Sequence, residues 1–265
     1  MRALGRVLVV ALFLGPLLLV LAGSLRRLGL PPPDGLPLLP TDPSFGAYGQ
    51  LPQEIRLWTA LRNSALVVVV AVPLGVLVAS SAGFALSQLA PRRQRSWVVF
   101  LLVLLAVPLP MLWIARFVLF LELGVLDTLV PLIAPALAAS TPVAVLLAYY
   151  AFRRLPPEQW ESARLEGAGA LRTWWQVGLP QVRATTTAIA VLVFTVHWGA
   201  YLDALLYVRA QARQTLPLAV AELRNLDPSD APIALAGAAM LAVPPLVLLL
   251  LVQKRLLSLP SLARR

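Results

Sequence analysis

Cysteine is absent from the 265 residues, and histidine and lysine each occur once, as His197 and Lys254. Without cysteine there is no disulfide, no iron–sulfur cluster and no thiolate metal site. One histidine cannot build a histidine-based zinc site. Gln253 precedes the lysine, so the chain has no Gly-Lys pair and cannot form a phosphate-binding P-loop. If ATP drives this protein, another polypeptide hydrolyses it. Charge is scarce too. Some 13% of residues are charged and 59% hydrophobic, where a soluble domain has about a quarter charged and about half apolar. Both departures point to lipid as the solvent.

Six apolar stretches cover roughly residues 7–25, 64–89, 97–121, 129–152, 183–208 and 231–252. A helix crosses a bilayer core in about 20 residues, and each stretch is long enough. The expected fold is an all-α membrane protein: a single transmembrane domain over residues 1–265 with six transmembrane helices. Prolines interrupt several stretches, among them Pro73, Pro108, Pro110, Pro142, Pro244 and Pro245. In a membrane bundle, neighbouring helices and water satisfy the carbonyls that such prolines free. The first stretch, with Arg2 and Arg6 before it and Ala22, Gly23 and Ser24 at its end, also fits a cleaved signal peptide, which would leave five spans.

Orientation follows from the basic residues. With the N-terminus inside, 14 of the 22 fall in cytoplasmic segments, seven fall outside, and Arg116 lies within the third stretch. The lysine and arginine bias sets topology, so both termini are expected in the cytoplasm. The net charge of +10 is scattered over several short loops rather than one face, which speaks against a nucleic-acid partner and for membrane lipid. Residues 26–63 are rich in proline (Pro31, Pro32, Pro33, Pro37, Pro40, Pro43, Pro52) and read as an irregular extracytoplasmic loop. Residues 209–230 read as a second such loop, with a short helix over Leu216–Arg224.

Residues 153–182, between stretches four and five, differ in composition from their surroundings. Pro156 and Pro157 precede Glu158, Gln159, Trp160 and Glu161, and proline in a first turn followed by acids starts a helix. Gly167 and Gly169 then end it, and a second short helix runs from about Ala170 to Pro180. A helix, a glycine hinge and a second helix protrude rather than span, and suit docking into a groove on a partner.

The spacing in this loop resembles the EAA motif of the membrane subunits of binding-protein-dependent ABC importers. Glu161, Ser162 and Ala163 occupy the triplet, Gly167 follows, and Val177, Gly178, Leu179 and Pro180 close the pattern. Serine stands for the second alanine and valine for isoleucine. The wider stretch Phe152–Ala168 is similar to the maltose-type, MalG-like sugar branch, as are Arg62-Asn63-Ser64 and Trp198-Gly199-Ala200-Tyr201. Thr215-Leu216-Pro217-Leu218 matches that branch in part. Glu166 stands where the branch has aspartate and Gly199 where it has asparagine. The branch's glycine- and lysine-containing tail is missing, the chain ending SLPSLARR.

The resemblance implies a multi-pass subunit in a bacterial or archaeal cytoplasmic membrane. It implies three partners: a second homologous permease subunit, an ABC ATPase dimer and an extracytoplasmic solute-binding protein. It implies no catalysis and no cofactor on this chain, ATP and magnesium belonging to the ATPase. Glu161, Ser162, Ala163, Gly167, Leu179 and Pro180 are then the ATPase-coupling residues, and the transported solute is a sugar or oligosaccharide. A sugar phosphate, an amino acid or a peptide is the alternative, and a secondary transporter a more distant one. A membrane enzyme finds no nucleophile–base pair or metal set.

Arg116, His197, Trp198, Tyr201 and Asp203 are the candidate substrate path. A charge within lipid usually faces a cavity or a partner, aromatic rings stack on sugars and acids bind hydroxyls. The plainer reading makes Arg116 a snorkelling residue and the aromatics interface anchors. Trp174 and Trp175 are expected as interfacial anchors of the loop.

Overall fold

The computed structural model describes residues 2–30, 42–137 and 142–257, with side chains from residue 12 to residue 254 except Leu109. Pro31, Pro32, Pro33, Pro37 and Pro40 of the first loop lie outside the described residues, as do residues 138–141 of the fourth stretch and the last eight residues. Every regular element described is helical. In order these are α1 (Arg2–Ser24), α2 (Gly46–Glu54), α3 (Leu57–Ser87), α4 (Pro91–Leu105), α5 (Leu109–Glu122), α6 (Val130–Ile133), α7 (Pro142–Arg153) and α8 (Pro157–Leu165). Then follow α9 (Ala170–Arg172), α10 (Leu179–Gln181), α11 (Arg183–Trp198), α12 (Tyr201–Tyr207), α13 (Leu216–Glu222) and α14 (Ala231–Leu257).

By length and apolarity, Leu57–Ser87 and Pro228–Lys254 can each cross a membrane. Two more crossings arise if each bent pair counts as one span. One pair is Pro91–Leu105 with Pro110–Glu122, bent by 91°, and the other is Ala170–Gln181 with Arg183–Trp198, bent by 90°. Leu12–Ser24 and Pro142–Arg153 are shorter apolar helices. The third stretch of the sequence, 97–121, is thus two helices. The chain turns at Ala106–Pro108, and α5 restarts with Pro108 as its N-cap and Pro110 in its first turn, positions where a missing N–H costs nothing. Pro73, by contrast, lies inside an unbroken α3, and Pro244 and Pro245 inside an unbroken α14.

The chain divides into two compact units, Met1–Ser64 with Arg209–Val247 and Ala65–Val208 with Leu248–Arg265. In the first, the Arg62-Asn63-Ser64 segment meets the Thr215-Leu216 segment. The buried Asn63 amide donates to the carbonyls of Ala212 (3.0 Å) and Gln214 (2.9 Å), and Ser64 Oγ accepts the Leu216 N–H at 2.8 Å. These bonds hold α13, whose Leu216, Pro217, Leu218 and Ala219 are buried. Buried backbone groups need partners, and here asparagine and serine supply them across a long sequence separation.

The second unit is organised on α3. Gly75, Ala79 and Gly83 recur every four residues and lie on one helix face. A Cβ on Gly75 would meet Val193 of α11 at 2.9 Å, and one on Gly83 would meet the Tyr149 backbone nitrogen of α7 at 2.7 Å. Small residues at this spacing let helix backbones approach closely. Around them pack Phe84, Leu101, Val145, Tyr149, Phe152, Trp160, Trp174 and Ile189. Outward-facing apolar residues are many. Ile114 is 76% exposed, Leu251 74% and Met111 71%. Contiguous apolar surface of this extent belongs against lipid or another membrane chain.

Candidate functional site

The 153–182 segment belongs to the second unit. After Pro156 and Pro157, α8 carries an inner face of Trp160 and Ala163 and an outer face of Glu158, Glu161, Ser162 and Leu165. Trp160 anchors the inner face, its ring edge-on to Phe84 of α3 at 5.5 Å. Phe84 meets Phe152 of α7 in the same way at 5.5 Å. The helix ends in a Schellman cap. Ala168 N–H reaches Ala163 O at 2.9 Å, Gly167 N–H reaches Arg164 O at 3.0 Å, and Gly167 has φ +75°. Glycine adopts that conformation without a side-chain penalty.

Beyond the cap, α9 runs into a π-helical turn, Thr173–Gly178, and then α10. Thr173 Oγ1 donates back to Gly169 O at 3.1 Å. Gly178 fits against the cluster, since a Cβ there would come to 2.9 Å from Phe152 and 3.4 Å from Trp160. Leu179 is half-buried and Pro180 exposed in the first turn of α10, ahead of the 90° bend at Val182. Trp174 corrects the expectation that both tryptophans anchor an interface. It is buried at 7% exposure in the core of the unit, whereas Trp175 is 57% exposed. Neighbouring residues on a helix lie about 100° apart, and here that step turns Trp174 into the core and Trp175 out of it.

Two shallow hollows mark the outer surface of this segment. One, of about 350 Å³, is lined by Glu158, Gln159, Ser162, Ala163, Glu166, Val177 and Gln181. The other, of about 340 Å³, is lined by Leu171, Arg172, Trp175 and Gln176. Leu165 and Leu171 stand out at 90% and 74% exposure. The triplet residues therefore differ in place. Ala163 is buried under α8, and Glu161 and Ser162 are exposed on it.

The candidate path residues converge in part. His197 is buried at the end of α11, with Nδ1 at 2.8 Å from the Val193 carbonyl and Nε2 without a hydrogen-bond partner among the described residues. Gly199 and Ala200 break the fifth stretch, and α12 follows. Asp203 on α12 lies within electrostatic reach of Arg116 and His197 and close to the Trp113 indole, its Oδ1 buried without a hydrogen-bond partner among the described residues. Tyr207 donates to the Trp113 carbonyl at 3.3 Å and packs edge-on to Phe120 at 5.3 Å. Trp198 is buried and stacked on Phe194 at 5.6 Å. Tyr201, at the start of α12, is half-buried and lies two residues before Asp203, off the face that Asp203 and Tyr207 share. The sequence reading missed Trp113 and Tyr207. Their signal was periodic, for Trp113 and Arg116 share a helix face, as do Asp203 and Tyr207.

Residues 59–256 match the family model described as "Binding-protein-dependent transport system inner membrane component". The arabinooligosaccharides transport system permease protein AraQ of Halalkalibacterium halodurans is 28% identical over 197 residues, 74% of this chain and 70% of that protein. The sn-glycerol-3-phosphate transport system permease protein UgpE of Yersinia pestis is 31% identical over 163 residues, 60% of this chain and 56% of that one. Among solved structures, a bacterial ABC transporter involved in the import of the acidic polysaccharide alginate has a similar fold. Its TM-score is 0.76 with 22% identity, covering 96% of this chain and 94% of that one.

Proposed function

This chain belongs to the family of inner membrane components of binding-protein-dependent transport systems, and from that premise we propose that it imports an oligosaccharide as one of two permease subunits above an ABC ATPase dimer. A solute-binding protein outside the membrane delivers the solute. The chain crosses the membrane six times with both termini in the cytoplasm. Its 153–182 segment is the cytoplasmic loop that seats on one ATPase subunit, with Glu161 and Ser162 facing that partner. ATP and magnesium are held by the ATPase, and this chain does no chemistry of its own.

The observation that carries the reading is the build of the loop. A surface connection would need no buried tryptophan, no glycine wedged against it and no capped helix end. Trp160 and Gly178 fix α8 to the helices beneath, while Glu161, Ser162 and Leu165 stay free for a partner. Rigidity below and exposure above are what a force-transmitting contact requires. Arg116, His197 and Asp203, with Trp198 and Tyr201, line the path and offer donors and acceptors to sugar hydroxyls. The oligosaccharide assignment leans on relatives named for arabino-oligosaccharide and alginate transport.

The test is uptake into proteoliposomes holding this chain, the partner permease and the ATPase, with the binding protein outside. The panel is a labelled arabino-oligosaccharide, glycerol 3-phosphate and a dipeptide. Accumulation of the oligosaccharide that requires internal ATP supports the proposal. Uptake of only glycerol 3-phosphate or dipeptide overturns the sugar assignment. Uptake driven by an ion gradient without ATP overturns the importer class.

A further inference from the structure

Side-chain contacts, made by none of the residues that define the EAA pattern, tie the turn between α3 and α4 to the end of α7 and to the loop. Gln94, in the first turn of α4, donates from Nε2 to the carbonyls of Ser87 (3.1 Å) and Leu89 (2.7 Å) at the end of α3. Its Oε1 accepts the Tyr149 hydroxyl at 2.9 Å. That hydroxyl, on a residue 1% exposed, in turn accepts from Arg153 Nη1 at 3.0 Å. From the loop side, Arg164 of α8 donates to Gln88 Oε1 at 3.2 Å. Beneath these bonds lies the Trp160–Phe84 contact. An amide and a phenol at the edge of an apolar core are costly unless paired, and here both ends of the amide and both roles of the hydroxyl are used. Such satisfied networks rigidify what they join. The loop's other exit, into α11, passes through a 90° bend at Val182.

We propose that Gln94 and Tyr149 are positioning residues that weld the α3–α4 turn to the end of α7, a body that the Arg164–Gln88 and Trp160–Phe84 contacts extend to the coupling helix α8, so that ATPase closure enters the bundle through α3 and α4. The proposal rests on the reading of 153–182 as the coupling loop. It places the first moving elements at the other end of α3 from Asn63, and makes the α3–α4 turn part of the lever rather than a passive connection.

The test uses the absence of cysteine. Ser96→Cys on α4 and Glu166→Cys at the C-cap of α8, both exposed, carry spin labels in the complete importer. Pulsed dipolar spectroscopy is read without nucleotide and after vanadate trapping with ATP. The expected result is one narrow distance distribution, the same in both states. Tyr149→Phe keeps the ring and removes the hydroxyl, and Gln94→Ala removes the hub. Tyr149→Phe removes two hydrogen bonds and Gln94→Ala three, so each should raise the broadened population by at least roughly two- to tenfold, the factor for one net bond. Each should also lower binding-protein-stimulated hydrolysis while the ATPase stays bound. A wild-type distance that changes between the two states overturns the proposal, as does a Tyr149→Phe distribution identical to wild type. Failure of the coupling reading would show differently, as absence of the ATPase from the wild-type complex.

Discussion

Gly167 and Gly169 look alike in the sequence, yet the structure gives them opposite sensitivities. Gly167 has φ +75° and open space where a Cβ would stand, with nothing within 4 Å, so substitution to alanine there costs backbone strain and no clash. A left-handed conformation costs an L-residue about 1–2 kcal/mol. Gly169 has φ −67° and ψ 165°, ordinary extended backbone, also with open space around it. Alanine there should be neutral or stabilising by about 0.4–1 kcal/mol, through the unfolded chain. The assay is amide hydrogen exchange in the assembled complex, read at Ala168, whose N–H closes the cap on Ala163. A loss of about 1–2 kcal/mol is a five- to thirtyfold fall in protection. Gly167→Ala should show it, Gly167→Asn less, because asparagine tolerates the left-handed region. Gly167→Pro should show the largest fall, since it fixes φ near −65° and removes the donor to Arg164. If Gly169→Ala cost more protection than Gly167→Ala, the capping argument would be refuted.

Gly83→Ala should destabilise by about 1–3 kcal/mol, as overpacking does, because the added carbon meets backbone of α7 that cannot turn aside. The check is the thermal midpoint of the purified complex, with Gly49→Ala, in open space, as the unaffected control. Asn63→Ala leaves the Ala212 and Gln214 carbonyls without their donor. The Gln214 carbonyl is the buried one of the two, and leaving it unpaired costs about 1–3 kcal/mol, so limited proteolysis between residues 209 and 230 should accelerate. For topology, Gln50→Cys should react with an impermeant thiol reagent in intact cells and Arg93→Cys only after permeabilisation. The reverse pattern would contradict the orientation.

The long helices were legible because lipid removes ambiguity: an apolar run of spanning length has few other fates. The start of α8 was legible from Pro156, Pro157 and Glu158, and its end from Gly167. The turn at Ala106–Pro108 was not, because proline alone does not decide. Pro73 is accommodated in a continuous α3, while Pro108 and Pro110 frame a bend of 91°. All three prolines are exposed, so neither residue type nor burial separates the two cases. The adjacent tryptophans of the loop read alike until the fold buried Trp174 and exposed Trp175. The gathering of Arg116, His197 and Asp203 on three different helices could be guessed from chemistry only. The Gln94–Tyr149 bond joins residues far apart in sequence, and no periodicity announces it. The small-residue series Gly75, Ala79, Gly83 does carry a periodic signal, that of a helix-contact stripe, but only the structure says which helices it meets.

Binding of the ATPase by the 153–182 loop would run through the exposed face of α8. The direct measurement is the amount of ATPase that co-purifies with the affinity-tagged permease pair, for wild type and for Glu161→Lys. Glu161 is exposed, so reversing its charge leaves the Trp160 and Gly178 packing intact and changes only what a partner meets. For Glu161→Lys, insertion and pairing with the second permease should be normal and the ATPase should be lost. ATPase recovery at the wild-type level, with uptake unchanged, would contradict binding through that face.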